Sequence, residues 1–168
     1  MTSDFIALSG RIREELDEVG RVAERAREIR RKAKTTCDDA YWDAVALNLH
    51  GFYTGIEHIL ESIAREVDGS VPTGPHSHRD LLMQMSAEFP GHRPAVLSRA
   101  TRECLEEYRA FRHLVRSVYA SSLRPQRLEE LAEALPGCFE RVTRELATFS
   151  AFLTGDVSSQ EGPSTLPG

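Results

Sequence analysis

The sequence predicts an all-α protein, an up-and-down bundle of about five helices. Apolar residues recur at spacings of three and four along the chain, which is the period of one helix face. Clusters of glycine and proline separate these segments, and no segment alternates apolar and polar residues as a β-strand does. The 168 residues are 40% hydrophobic and 28% charged, as is typical of one globular domain. We expect that domain to span residues 1–154.

The first two helices are expected to be long. The first is predicted from about Ser3 to Lys34, and the sequence TTCDD then ends it and caps the second. The apolar face of the first helix consists of Ile12, Leu16, Val19, Ala23, Ala26 and Ile29. The second helix has two adjacent apolar rows, which predicts a central position in the core. These rows are Trp42, Val45, Leu49, Phe52, Ile56, Ile59 and Ile63, and beside them Ala46, Tyr53, Leu60 and Val67.

The third and fourth helices follow a loop rich in glycine and proline. Ser77 is expected to cap a short third helix, which buries leucine and methionine side chains. Pro94 is well placed in the first turn of the fourth helix, where its missing N–H costs nothing. The buried stripe of the fourth helix is expected to contain Leu97, Leu105, Tyr108, Phe111, Val115 and Val118.

The last helical region has its apolar residues between Leu128 and Phe152. Pro136 and Gly137 interrupt it, so we expect two helical pieces there. From Gly155 onward the sequence shows no periodicity, and residues 155–168 are predicted to form a disordered tail.

Charge and cysteine content narrow the classes of function. The net charge is −5 and the isoelectric point is about 5.7, so any nucleic-acid binding must depend on a local basic patch. The three cysteines, Cys37, Cys104 and Cys138, form no CxxC motif and cannot all pair, which favours reduced thiols in a cytosolic protein. No leader sequence and no apolar run of about 20 residues are evident. We therefore expect a cytoplasmic protein with no membrane partner.

A basic cluster lies on the predicted fourth helix. Arg109, Arg112, His113 and Arg116 share one face, and Tyr119 lies one turn beyond. Like charges at this spacing repel each other, so a nearby anion is expected. Two interpretations remain open. Acidic side chains could neutralise the cluster, namely Glu57, Glu61, Glu66, Glu106 or Glu107, or the arginines could bind phosphate through their planar donors.

The segment YRAFRHLVRSVY resembles the signature helix of the HEPN superfamily, in its HepT-like branch. That signature has Arg, four residues, His, one residue and Tyr. Arg112 takes the arginine position and His113 the polar position after it, Ser117 falls on the histidine position, and Tyr119 falls on the tyrosine. The segments GFYTGIEHILESIAREVDG, PHSHRDLLMQM and ELATFSAFL are also similar to HepT-like proteins, so the likeness extends from about Ala40 to Leu153.

The resemblance implies a metal-independent ribonuclease without a cofactor. HEPN proteins dimerise so that two signature helices form one basic cleft. HepT-like members are toxins of toxin–antitoxin pairs, and their antitoxin is a minimal nucleotidyltransferase that can adenylylate the signature tyrosine, here Tyr119. Arg109, Arg112 and Arg116 would then bind RNA, and Glu57 would orient the arginines as a core acid.

Ser117 departs from the family pattern at the residue that transfers protons. A serine hydroxyl does not do so near neutral pH unless a base activates it. Either His113 transfers protons, with Arg112 and Arg116 stabilising the transition state, or the protein has lost cleavage and only binds a nucleotidyltransferase partner. The remaining histidines of this region, His76, His78 and His92, match no zinc spacing and are expected in loop and helix-cap roles.

Overall fold

The computed structural model describes residues 3–117 and 123–155, without the side chains of residues 116 and 117. In these ranges five helices make up the bundle: α1 Ser3–Thr35, α2 Ala40–Glu66, α3 Ser77–Met85, α4 Arg99–Ser117 and α5 Pro125–Thr154. Within these ranges the only β pairing is an isolated bridge between Phe89 and Arg93. The all-α prediction is therefore confirmed. None of the described helices is both long enough and apolar enough to cross a membrane.

Helix α2 occupies the centre of the bundle and packs against the other four helices. Its side chains from Val45 to Ala64 supply the largest share of the core, as its two apolar rows predicted. Helix α1 lies close to α2 at Gly55, where an added Cβ would lie 2.5 Å from Cγ2 of Val19. A side chain at position 55 would therefore push α1 and α2 apart.

Helix α5 is continuous, and the prediction that Pro136 and Gly137 split it was wrong. A proline inside a helix removes one hydrogen bond and costs about 3 kcal/mol. The residues on both sides, Leu135 and Cys138, are completely or almost completely buried against the core. Their packing holds both turns of α5 in line despite the lost hydrogen bond.

Helix α4 begins at Arg99, so the prediction that Pro94 starts it was wrong. The segment before α4, residues 94–98, is instead held on α3, because the amides of Val96 and Leu97 donate to the carbonyl of Met85 at 2.9 and 3.0 Å. Ser98 caps α4, its hydroxyl accepting from the Thr101 amide at 3.2 Å.

Glu145 of α5 also holds this end of α4. Its carboxylate accepts from the Ser98 amide at 2.9 Å and from the Thr101 hydroxyl at 2.8 Å. Ser77, which the sequence placed at a cap, is the first residue of α3, and the preceding His76 occupies the cap position without a side-chain bond.

The expectation of three reduced thiols was wrong as well. Cys104 of α4 and Cys138 of α5 form a disulfide, and Cys37 is free and exposed. The two Cα atoms lie 6.1 Å apart because α4 and α5 pack side by side. The two cysteines are 34 positions apart along the chain, so their proximity is a property of the fold and not of the local sequence.

A buried ion pair fixes the loops around α3. Nε of Arg93 donates to Asp68 at 2.5 Å and its Nη2 at 2.8 Å, and both side chains are almost fully buried. Gln84 donates to the same carboxylate at 2.7 Å. Burial alone would raise the pKa of Asp68, but the bonds from Arg93 and Gln84 outweigh burial and lower that pKa. The pair ties the loop that follows α2 to the loop that follows α3.

Candidate functional site

Glu57 is a charged residue on the buried face of α2. It lies in the row of Tyr53, Leu60 and Ala64, which are spaced by three and four residues and are buried. Its side chain is only 4% exposed. An ionised carboxylate in such a place requires cationic partners.

Arg112 supplies one partner from α4. It lies in the inward row of Leu105, Tyr108 and Val115, so the helix directs it toward the core instead of the solvent. Nη2 of Arg112 lies 3.5 Å from Oε1 of Glu57, and the arginine side chain is 15% exposed. Glu57 was among the carboxylates expected to face the basic cluster.

His78 supplies the second partner from α3. It precedes the buried Leu81 and Leu82 by three and four residues, so it shares the face that α3 packs against α2. Its Nδ1 lies 2.8 Å from Oε2 of Glu57. One carboxylate thus stands between a histidine of α3 and an arginine of α4.

This arrangement leaves hydrogen-bonding capacity unused. Neither Oε2 of Glu57 nor Nε of Arg112 makes a well-oriented hydrogen bond to any described residue, although Oε2 is within ion-pair distance of His78. Buried polar atoms of this kind are uncommon, and a ligand is one explanation for them.

Tyr53 lies in the same electrostatic environment. Burial raises the pKa of its hydroxyl strongly, and the nearby charge of Glu57 adds to that rise, whereas Arg109 and Arg112 oppose it. The hydroxyl therefore stays protonated at neutral pH.

A cleft of about 730 Å³ opens above Glu57, His78 and Arg112, between the start of α3 and the basic face of α4. Its charged and titratable lining residues are His76, His78, Arg79, Arg109, Arg112 and His113. Arg109 is partly neutralised, since its Nε donates to Glu106 at 2.5 Å. Among the described residues, the lining has three arginines and no carboxylate, so the cleft is suited to an anion.

The structure brings only part of the sequence-derived site together. Arg109, Arg112 and His113 line the cleft. Arg116 lies on the same helix, but its side chain is outside the description, and Ser117 is the last residue of α4. Tyr119, the residue proposed for modification, lies outside the described residues.

The sequence did not predict that residues of α3 line the cleft. His78 was expected in a loop or cap role, yet it lines the cleft and faces Glu57. Its position three and four residues before two leucines was a usable signal. His92, in contrast, does hold a loop, its Nε2 lying 2.9 Å from the carbonyl of Val67. In the described part of the chain, no three acidic, histidine or cysteine side chains are grouped as a metal site.

Comparison with known proteins adds one finding. A family model described as HepT-like protein matches residues 44–153. No curated protein and no solved structure matches the chain. The match spans more than half of the sequence and includes every residue that lines the cleft. The resemblance predicted from the signature helix is confirmed, and the chain belongs to the HepT-like family of the HEPN superfamily.

Proposed function

We propose that this protein is a ribonuclease toxin of a toxin–antitoxin pair, which cleaves RNA without a metal and acts as a homodimer in the cytoplasm. The observation that carries this proposal is the cleft between α3 and α4, where Arg79, Arg109 and Arg112 face a space large enough for a nucleotide. Family membership supports a HEPN-type protein.

Phosphate binding would depend on Arg109 and Arg112. The Nη2 atom of Arg112 is directed at Glu57, while the side chain keeps 15% exposure and lines the cleft. A guanidinium held by a carboxylate on one side is oriented for a phosphate on the other. Arg116, on the same helix face, would extend the contact along the RNA backbone.

Proton transfer would fall to His113 because Ser117 occupies the signature histidine position. His113 lies in the cleft next to Arg112, where it could take the proton of the ribose 2′-hydroxyl. Arg112 and Arg116 would stabilise the charge that builds on the phosphorus-bound oxygens. In a dimer, two copies of α4 would meet and double these groups.

Control of such a toxin would involve Tyr119 and a nucleotidyltransferase partner. Adenylylation of Tyr119 would add bulk and negative charge close in sequence to the arginines of α4 and so block RNA. The site residues of this proposal require no cofactor.

The test is cleavage of labelled single-stranded RNA by the purified full-length protein in the presence of a chelator. Arg112→Ala should reduce cleavage about 100-fold, the scale for loss of one group that stabilises developing charge. Arg99→Ala is the matched control, because Arg99 lies at the exposed start of the same helix and pairs only with Glu103 among the described residues. Equal cleavage by both variants would contradict the proposal.

A second candidate function is that of a catalytically inactive module which binds a nucleotidyltransferase. Two observations favour it: Ser117 replaces the signature histidine, and Glu57 and Glu106 already pair with Arg112 and Arg109. Under this function the wild type would form a stable complex with the partner and would not cleave RNA. Ser117→His would then introduce cleavage that the wild type lacks.

A further inference from the structure

We propose that His78 is the general acid of this cleft, oriented by Glu57, and that it donates the proton which the RNA leaving group needs. This inference deepens the proposed ribonuclease function and rests on it. It assigns a catalytic role to α3, a helix outside the signature segment.

The first step is the orientation of the imidazole ring. Nδ1 of His78 lies 2.8 Å from the buried Oε2 of Glu57. The side chain is 40% exposed and lines the cleft. Because the two ring nitrogens lie on opposite sides of the ring, Nε2 is the nitrogen available to a ligand. The Glu57 carboxylate, within ion-pair distance of Nδ1, also places a negative charge on that side of the ring.

The second step is the role of the carboxylate. Glu57 is buried to 4% exposure, and it can stabilise the positive charge that the ring carries when both nitrogens are protonated. Such a histidine has a proton on Nε2 to give. His113 lies on the opposite wall of the cleft, beside Arg112 on α4. The two histidines are therefore suited to opposite steps.

The complete reaction follows from these assignments. His113 takes the proton from the 2′-hydroxyl, and the 2′-oxygen attacks phosphorus. The bond between phosphorus and the 5′-oxygen breaks, and Nε2 of His78 protonates that oxygen as it leaves. The products are a 2′,3′-cyclic phosphate and a 5′-hydroxyl end. A proton from His113 returns to His78 through solvent, so no oxidant, metal or further reactant is consumed.

The charged groups around His78 come from three helices. Glu57 faces it from α2, Arg79 and His76 flank it at the start of α3, and Arg109, Arg112 and His113 line the opposite wall on α4. Glu57 contacts both His78 and Arg112, so the same carboxylate positions the acid and the arginine that binds phosphate.

The decisive experiment compares two RNA substrates that differ only in the leaving atom. One has the natural 5′-oxygen and the other a bridging 5′-sulfur, which leaves as a thiolate and needs no acid because thiols are far more acidic than alcohols. His78→Gln should cleave the oxygen substrate about 100- to 1,000-fold more slowly than the wild type, the range for loss of a general acid. With the sulfur substrate the deficit should shrink to about 10-fold or less.

Three controls make the result specific. His58→Gln removes an exposed histidine of α2 next to Glu57 but outside the cleft, and should leave both rates unchanged. His113→Gln should lose activity equally on both substrates, because the base is needed in each case. All variants should bind an uncleavable 2′-deoxy strand within about twofold of the wild type, which excludes loss of folding.

A deficit of His78→Gln that is equal on both substrates, or no deficit at all, would overturn the assignment while leaving the ribonuclease function intact. A wild-type protein that cleaves neither substrate would remove the ribonuclease function, and the role of His78 with it. The two failures therefore give different results.

Discussion

Nη2 of Arg112 lies 3.5 Å from Oε1 of Glu57, so an inward-facing arginine of α4 meets an inward-facing carboxylate of α2. The arginine side chain keeps 15% exposure at the cleft. The pair therefore belongs both to the core of the bundle and to the floor of the candidate site.

Glu57→Gln should lower the free energy of unfolding by about 1–3 kcal/mol. Removing one partner of a buried pair leaves an uncompensated charge, which costs about 3–5 kcal/mol in a fully buried site and less here because Arg112 reaches the cleft. Urea unfolding at pH 7 measures the change. The double variant Glu57→Gln, Arg112→Met should be more stable than the sum of the single variants predicts, and strict additivity would contradict the pairing.

The Asp68–Arg93 pair should make stability sensitive to acid. The folded state holds the pKa of Asp68 below its ordinary value, so the pair stabilises the protein above about pH 4, the usual pKa of an unfolded aspartate. That contribution is lost as the pH falls from there through the lower, folded-state pKa. Asp68→Asn should be less stable at pH 7 and should lose less stability than the wild type between pH 5 and pH 3. Parallel pH curves for the two proteins would rule this out.

The disulfide gives a prediction about thiol counts. The unfolded, unreduced protein should react with a thiol reagent at one cysteine, Cys37, and at all three after reduction. Loop-closure entropy over 34 residues predicts that reduction lowers the free energy of unfolding by about 4 kcal/mol. Cys37→Ser is the control, and it should abolish the thiol signal of the unreduced protein without changing its stability. Three reactive thiols before reduction would contradict the Cys104–Cys138 bond.

Two glycines provide a matched test of the α1–α2 contact. Gly55→Ala should destabilise the protein by about 1–3 kcal/mol, because the new Cβ would overlap Cγ2 of Val19. Gly10→Ala lies in α1 with no atom within 4 Å of the new Cβ, and should stabilise the protein by up to about 1 kcal/mol through helix propensity. Thermal unfolding of both variants measures these changes, and equal shifts of their melting temperatures would contradict the close approach of α1 and α2.

The long helices were predictable because their apolar periodicity is a local property of the sequence. The errors arose where tertiary contacts decided the outcome. Pro136 remains inside α5 because its buried neighbours hold the turns on both sides. Pro94 lies in the segment before α4 because the carbonyl of Met85 accepts two amides of that segment. Local pattern alone does not show either contact.

The same distinction applies to the candidate site. Its α4 wall was predictable because the spacing of Arg109, Arg112 and His113 places them on one face. The α3 wall was not, since the meeting of His78 with Glu57 depends on how α3 packs on α2. The Cys104–Cys138 bond was missed for the same reason.

Glu145 has a consequence for the far end of α4. By accepting from Ser98 and Thr101, this carboxylate of α5 fixes the rotation of α4 about its own axis at its first turn. Successive residues of a helix are rotated by about 100° about its axis. A shift of α4 by one residue position would therefore turn Arg112 away from Glu57. Arg112 lies 11 residues beyond Thr101, about 16 Å along the axis. Glu145 therefore fixes the direction of the Arg112 guanidinium from a distance, although Glu145 does not line the cleft.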